Sequence, residues 1–122
     1  EDIQGESLVP LLNGQSPTDW RTSIYYHYYE FPSVHMVPRH YGIRTERYKL
    51  MHFYEFGNEW ELYDLKKDPD EVTNIYNKAK HSKLIESLKT DLRGLQEFYE
   101  DDSDISEKPK QWQAEQRKLT SK

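Results

Sequence analysis

The chain has no cysteine. A disulfide framework, a thiolate metal site and a cysteine nucleophile are thereby excluded, and the redox compartment leaves no trace in the sequence. No apolar run approaches the ~18 residues that a membrane-spanning helix needs, and Glu1-Asp2 begins nothing like a signal peptide. Long basic runs are missing too: 17 Lys and Arg stand against 22 Asp and Glu, a net charge of -5, which disfavours nonspecific adhesion to nucleic acid or to an anionic membrane surface. Glycine is scarce, with five residues in 122, and no Gly-rich phosphate loop occurs. Serines lack a G-x-S-x-G context, and the histidines lack metal-ligand spacing. There is no internal repeat. What remains is enough chain for one small domain with a modest core, and its 14% aromatic residues argue against general disorder.

The aromatics concentrate between Trp20 and Tyr63, and there the alternation is of period two. In Tyr48 to Tyr54, Tyr48, Leu50, His52 and Tyr54 alternate with Lys49, Met51 and Phe53, the signature of a strand. Tyr41, Ile43 and Thr45 form a second such run, and Trp60 and Leu62 a third. Thr45-Glu46-Arg47 leaves room only for a hairpin, and Phe56-Gly57-Asn58 supplies residues that tolerate positive φ for another. An antiparallel meander follows, joined by Thr22 to Tyr29 as a further strand. Glu30 to Pro38, with two prolines and no alternation, reads as a loop.

Around this sheet the expected elements are few. Ser7 to Leu12 is a short helical turn with Ser7 as cap and Asn13-Gly14 as its stop. Asp68 and Pro69 make a turn after Leu65, and the carboxylates Asp64, Asp68, Asp70 and Glu71 fail the EF-hand pattern, which assigns Glu71 and Asn74 to bonding the backbone of the connection. From His81 to about Asp102, Leu84, Leu88, Leu92, Leu95 and Tyr99 recur at helical spacing, with Ile85 and Phe98 widening the stripe. Ser82 is its candidate N-cap, and Gly94 implies close packing or an early end. Packing that stripe on one sheet face gives an α+β unit of two layers, about four antiparallel strands against one long C-terminal helix.

The residues suited to an anionic sugar are Arg39, His40 and Arg44, with His35 upstream and Lys49 on the next strand. Arg forks and a chargeable imidazole match the oxygens of a sulfate ester. Alternation puts His40 and Arg44 on one face, with Gly42 leaving that face open between them, and turns Arg39 the other way. Two readings stand side by side: these residues line a ligand pocket, or Arg44 pairs with Glu46 or Glu61 and the histidines are merely exposed. The cluster Tyr25, Tyr26, Tyr28, Tyr29 and Phe31 divides likewise between stacking on sugar rings and serving as sheet core and domain interface.

IRTERYKLMHFY followed by EWELYDLKKDPDEVTN resembles the carboxy-terminal subdomain of the type I, formylglycine-dependent sulfatases, in which an arginine-bearing strand, an RYK strand and an ELYDL strand lead into a D-P-x-E-x-x-N turn, here Asp68, Pro69, Glu71 and Asn74. GESLVPLLNG resembles the hand-over segment from the family's main domain. The likeness covers roughly residues 5 to 100 and is strongest to bacterial glycosaminoglycan sulfatases of the N-acetylglucosamine-6-sulfatase kind. It implies residues 1–21 as linker and short helix from the main domain, 22–102 as the α+β subdomain and 103–122 as a polar tail. It further implies an α/β sulfatase domain of the same chain as partner, a sulfated sugar as substrate, and a periplasmic or secreted location. EDIQGESLVPLL reads as the interior of a longer protein. The family's C/S-x-P-x-R motif, source of its formylglycine, does not occur here, and its calcium ligands belong to the large domain, so this stretch is expected to hold no catalytic or metal residue. His40, Arg39, His35 and Arg44 are the expected substrate contacts. The rival is a stand-alone, aromatic-rich carbohydrate-binding or interaction module.

Overall fold

The computed structural model describes residues 4–32, 34, 36–55 and 57–101. Expectations for His35, Phe56, Asp102 and the 103–122 tail lie outside the described residues. The elements run in the order α1 (Val9–Leu12), β1 (Ser23–Tyr28), β2 (His40–Thr45), β3 (Tyr48–Phe53), β4 (Glu59–Asp64), a 3-10 turn (Ala79–His81) and α2 (Ser82–Phe98). The four strands form one sheet in the order β1-β2-β3-β4, each antiparallel to the next.

Both hairpins form where turn chemistry places them. Between β2 and β3, Thr45 Oγ1 accepts the Tyr48 N–H at 2.9 Å and donates to the Tyr48 carbonyl at 3.2 Å. Between β3 and β4, Gly57 and Asn58 hold φ of 134° and 59°. Arg47 closes the sheet end with a two-pronged grip on the buried Asp64, at 3.1 and 2.9 Å. After β4, Asp68 accepts the N–H groups of Val72 and Thr73, and Asn74 bonds the backbone of Trp60 and Leu62. Glu71 behaves otherwise than expected: in a left-handed conformation, φ 53°, it bonds Lys49 Nζ at 2.8 and 3.0 Å, since that turn swings its carboxylate toward the sheet and away from the backbone amides.

Period-two register sorts the strands into two faces. One face carries Ile43, Leu50 and Leu62, all fully buried, against Ile85, Leu88 and Leu92 of α2. Phe98 does not join the stripe and stays 75% exposed, because six residues past Leu92 lie about 240° further round the helix. Ser82 is the first helical residue and no side chain caps the helix, since the 3-10 turn already hands its backbone to α2. Ser7 does bond the Val9 N–H ahead of α1, and Gly14, at φ 72°, follows it. No helix among the described residues is long and apolar enough to cross a membrane.

The rim of the core is polar and aromatic. His27 Nδ1 lies 2.7 Å from Asp101 and its Nε2 2.9 Å from the Tyr54 hydroxyl, and Tyr25 also bonds Asp101. His52 stacks on Trp60 at 4.1 Å, its Nδ1 meets the Tyr41 hydroxyl at 2.6 Å and its Nε2 meets the Asn58 side-chain oxygen. Lys89 Nζ sits 4.1 Å from the centre of the Trp60 ring. Burial lowers the pKa of both histidines below the ordinary 6.5; Asp101 opposes this at His27, and Lys89 reinforces it at His52, where the Asn58 bond opposes it.

The two interior glycines differ in kind. A Cβ on Gly42 would stand 2.5 Å from the Leu50 carbonyl and 2.7 Å from the Tyr26 hydroxyl, so the gap expected at Gly42 is filled by the Tyr26 ring. A Cβ on Gly94 would meet nothing within 4 Å; the helix runs through it with neither close packing nor an early end. Gly42→Ala should cost about 1–3 kcal/mol in urea denaturation, whereas Gly94→Ala should add about 0.5–1 kcal/mol; equal effects would contradict both assignments. For His27 and His52, whose folded pKa values are depressed, the unfolded chain binds more protons just below 6.5, so stability is full above that pH and is lost as pH falls through it. The urea midpoint should therefore be lower at about pH 5 than at about pH 7.5, and a flat profile there would contradict neutral burial of the pair.

Candidate functional site

The outward face of the sheet bears Tyr26, Tyr28, His40, Gly42, Arg44, Lys49, Met51, Phe53, Glu59, Glu61 and Tyr63, as the strand pairings dictate. His40 opens β2 at the end of the connection from β1. Its ring is stacked on Tyr28 at 5.4 Å, tilted against Phe53 at 4.8 Å and edge-on to Tyr26 at 5.9 Å. Nδ1 lies 2.9 Å from the Pro38 carbonyl oxygen. A carbonyl only accepts, so Nδ1 carries the proton, and in the neutral ring Nε2 is left as a bare acceptor.

Arg39 points away from His40, as alternation requires. Its Nε donates to the Tyr29 carbonyl at 2.8 Å and its Nη2 to the Phe31 carbonyl, while Nη1 sits 3.8 Å from Glu55. The guanidinium thus ties the connection to the end of β1. Arg44 stands at the far end of β2, four residues and roughly 13 Å from His40, exposed and, among the described residues, in no ion pair with Glu46 or Glu61. Lys49 is taken up by Glu71. His40 and Arg44 share a face but not a ligand-sized neighbourhood, and nothing is placed for His35.

Beside His40 a cleft of ≈ 250 Å³ is lined by Pro38, Phe53, Glu59 and Glu61. Two carboxylates and an aromatic edge make its chemistry that of hydrogen-bond acceptance next to a ring-stacking surface, and such a cleft repels an anion. Burial and the Glu61 carboxylate, which accepts the Tyr63 hydroxyl at 2.9 Å, push the Tyr63 phenol up to about 12. Tyr63 therefore stays protonated as a donor to Glu61.

A calcium ion, as the resemblance implies for the intact enzyme, finds no home among the described residues: no group of three His, Cys, Asp or Glu side chains is placed to hold a metal. Asp64 is gripped by Arg47 and Asp68 by backbone amides. Asp64, Asp68 and, through Lys49, Glu71 thus do structural work. Glu55 was missed from the sequence, although its side chain is wholly buried against Arg39; it looks like loop text, and its partner lies 16 residues away.

The comparisons with known proteins agree with this architecture. The family model described as N-sulphoglucosamine sulphohydrolase, C-terminal, matches residues 1–98. The N-acetylglucosamine-6-O-sulfatase of Bacteroides thetaiotaomicron is 52% identical over 102 residues, covering 82% of this chain and 18% of that protein. The delta 4,5-hexuronate-2-O-sulfatase of the same organism is 37% identical over 89 residues, 66% of this chain and 16% of that one. A solved structure of a protein in complex with its substrate D-glucosamine-2-N,6-O-disulfate superimposes with a TM-score of 0.81 at 48% identity, over 87% of this chain and 22% of that one. The chain spans about a fifth of the length of these relatives, and a match of this extent does not favour a stand-alone carbohydrate module. With four antiparallel strands against one C-terminal helix and that family match running from residue 1 to 98, the chain belongs to the carboxy-terminal domain family of the sulfatases.

Proposed function

We propose that this domain forms one wall of the sugar pocket in a full-length sulfatase that hydrolyses sulfate esters of glycosaminoglycan-type sugars, and that His40 is its principal contact. The observation that carries this reading is the His40 ring itself, held by Pro38, Tyr28 and Phe53 beside a sugar-sized cleft, in a chain 52% identical to an N-acetylglucosamine-6-O-sulfatase. The nucleophile, a formylglycine by family likeness, and the calcium lie in the part of the protein outside this chain, and so does the step that breaks the sulfate ester. A periplasmic or secreted setting goes with that likeness.

The wall reads the sugar and not the sulfate. Arg39 has its donors turned to backbone carbonyls, Arg44 is at the other end of the strand, and the cleft offers Glu59 and Glu61. In its neutral form His40, with Nδ1 committed, adds an acceptor at Nε2. Acceptors of this kind take hydroxyl hydrogens of a pyranose, whereas a sulfate needs donors. Of the four expected contacts, Arg39 then supports the loop, Arg44 faces a more distant part of an extended substrate, and His35 lies five residues before His40 in the sequence. A site built to bond a hydroxyl rejects an analogue lacking it far more strongly than a purely apolar pocket does, so this wall sets which sugar enters.

Replacing His40 by Ala in the full-length protein should lower kcat/KM for D-glucosamine-2-N,6-O-disulfate by about tenfold or more; a change within about twofold, less than roughly 0.5 kcal/mol, removes His40 from the contact set.

A further inference from the structure

The Glu55 side chain is entirely withdrawn from solvent. It lies two residues beyond the end of β3, against the connection that leads into β2. Its Oε2 accepts the Arg39 backbone N–H at 3.2 Å; its Oε1 lies 3.8 Å from Arg39 Nη1 and, among the described residues, has no hydrogen-bond partner. Burying a carboxylate is costly unless it is paired, and an apolar side chain of similar size would fill the same space without that cost. A buried charge with one oxygen unmatched is therefore poorly explained by stability alone.

What the charge holds is specific. Glu55 fixes both the peptide N–H and the guanidinium of Arg39, and that guanidinium gathers the carbonyls of Tyr29 and Phe31. One carboxylate thus pins the start and the end of the β1–β2 connection. Pro38, the residue before Arg39, supplies the carbonyl that accepts the His40 Nδ1–H and so orients the ring. Moving the backbone at 38–39 would turn the imidazole and free its tautomer.

We infer that Glu55, acting through Arg39, is the positioning residue for His40, holding the Pro38 carbonyl where it fixes the ring and leaves Nε2 to the sugar. This role rests on the pocket-wall reading and adds a residue to it. It makes no contact with substrate, so its signature is a loss of binding geometry that vanishes once His40 is gone.

The experiment is a double-mutant cycle in the full-length protein, with Glu55→Gln, His40→Ala and the pair together, assayed by steady-state kinetics on the sulfated sugar named above. Glu55→Gln keeps the volume and one acceptor but removes the charge. It should raise KM about tenfold with kcat changed less than about twofold, and should add nothing further in the His40→Ala background. Where Glu55→Gln fails to fold, as judged by urea denaturation, Arg39→Lys takes its place, since an ammonium cannot span both carbonyls and the carboxylate, and the same pattern is expected. If His40→Ala raises KM while the Glu55 or Arg39 variant does not, or if the two losses simply add, Glu55 positions nothing and the pocket-wall reading survives. If His40→Ala itself is silent, the pocket-wall reading falls and this role falls with it.

Discussion

The seam where Ile43, Leu50 and Leu62 meet Ile85, Leu88 and Leu92 governs the rest of the molecule. Strand side chains alternate with a strict period, so committing those three strand residues to the helix commits their neighbours His40, Gly42, Arg44, Phe53 and Glu61 to the opposite face. A one-residue slip of β2 would bury His40 and expose Ile43 together. The Arg47 grip on Asp64 and the Asn74 bonds to β4 hold the register at the sheet's end and edge. The face proposed to read sugars is here the necessary reverse side of an apolar packing decision.

Charge on that reverse side is sorted before any ligand arrives. Lys49 on that face is answered by Glu71, and Arg39, turned the other way, by backbone oxygens and Glu55, so neither cation is left to the cleft. Glu59 and Glu61 remain at the opening. The domain consequently offers acceptance more than attraction at this point, which suits a partner surface that already carries the machinery for an anion. Under the proposed pocket-wall role, selectivity and chemistry would sit on different pieces of chain, and each could vary without rebuilding the other.

Local chemistry was legible and remote chemistry was not. The four strands and both hairpins follow from alternation, Gly57-Asn58 and the brevity of residues 46–47, all of which act within a few residues. Asp68 and Asn74 likewise bond groups in reach of their own turn or the adjoining strand. Glu71 reads as the same kind of residue, yet a left-handed backbone sends it to Lys49 across 22 positions. Phe98 misled because a leucine stripe widened by one aromatic overruns the arc that a single sheet covers. Glu55 and Asp101 carried no signal at all, since what defines them is a partner 16 or 74 residues distant. For the candidate site, the strand position of His40 could be read, while the commitment of Arg39 to carbonyls depends on how the connection folds back on β1.

The pairing order β1-β2-β3-β4 keeps every sheet contact between sequence neighbours, a low contact order for a β-rich unit. Half of the seam, however, comes from α2, the last of the described elements. On a nascent chain emerging from the ribosome the meander would zip early, with its apolar side still bare until the helix is made. The interval between those two events is when this domain presents sticky surface, and chaperone engagement or self-association would be concentrated there.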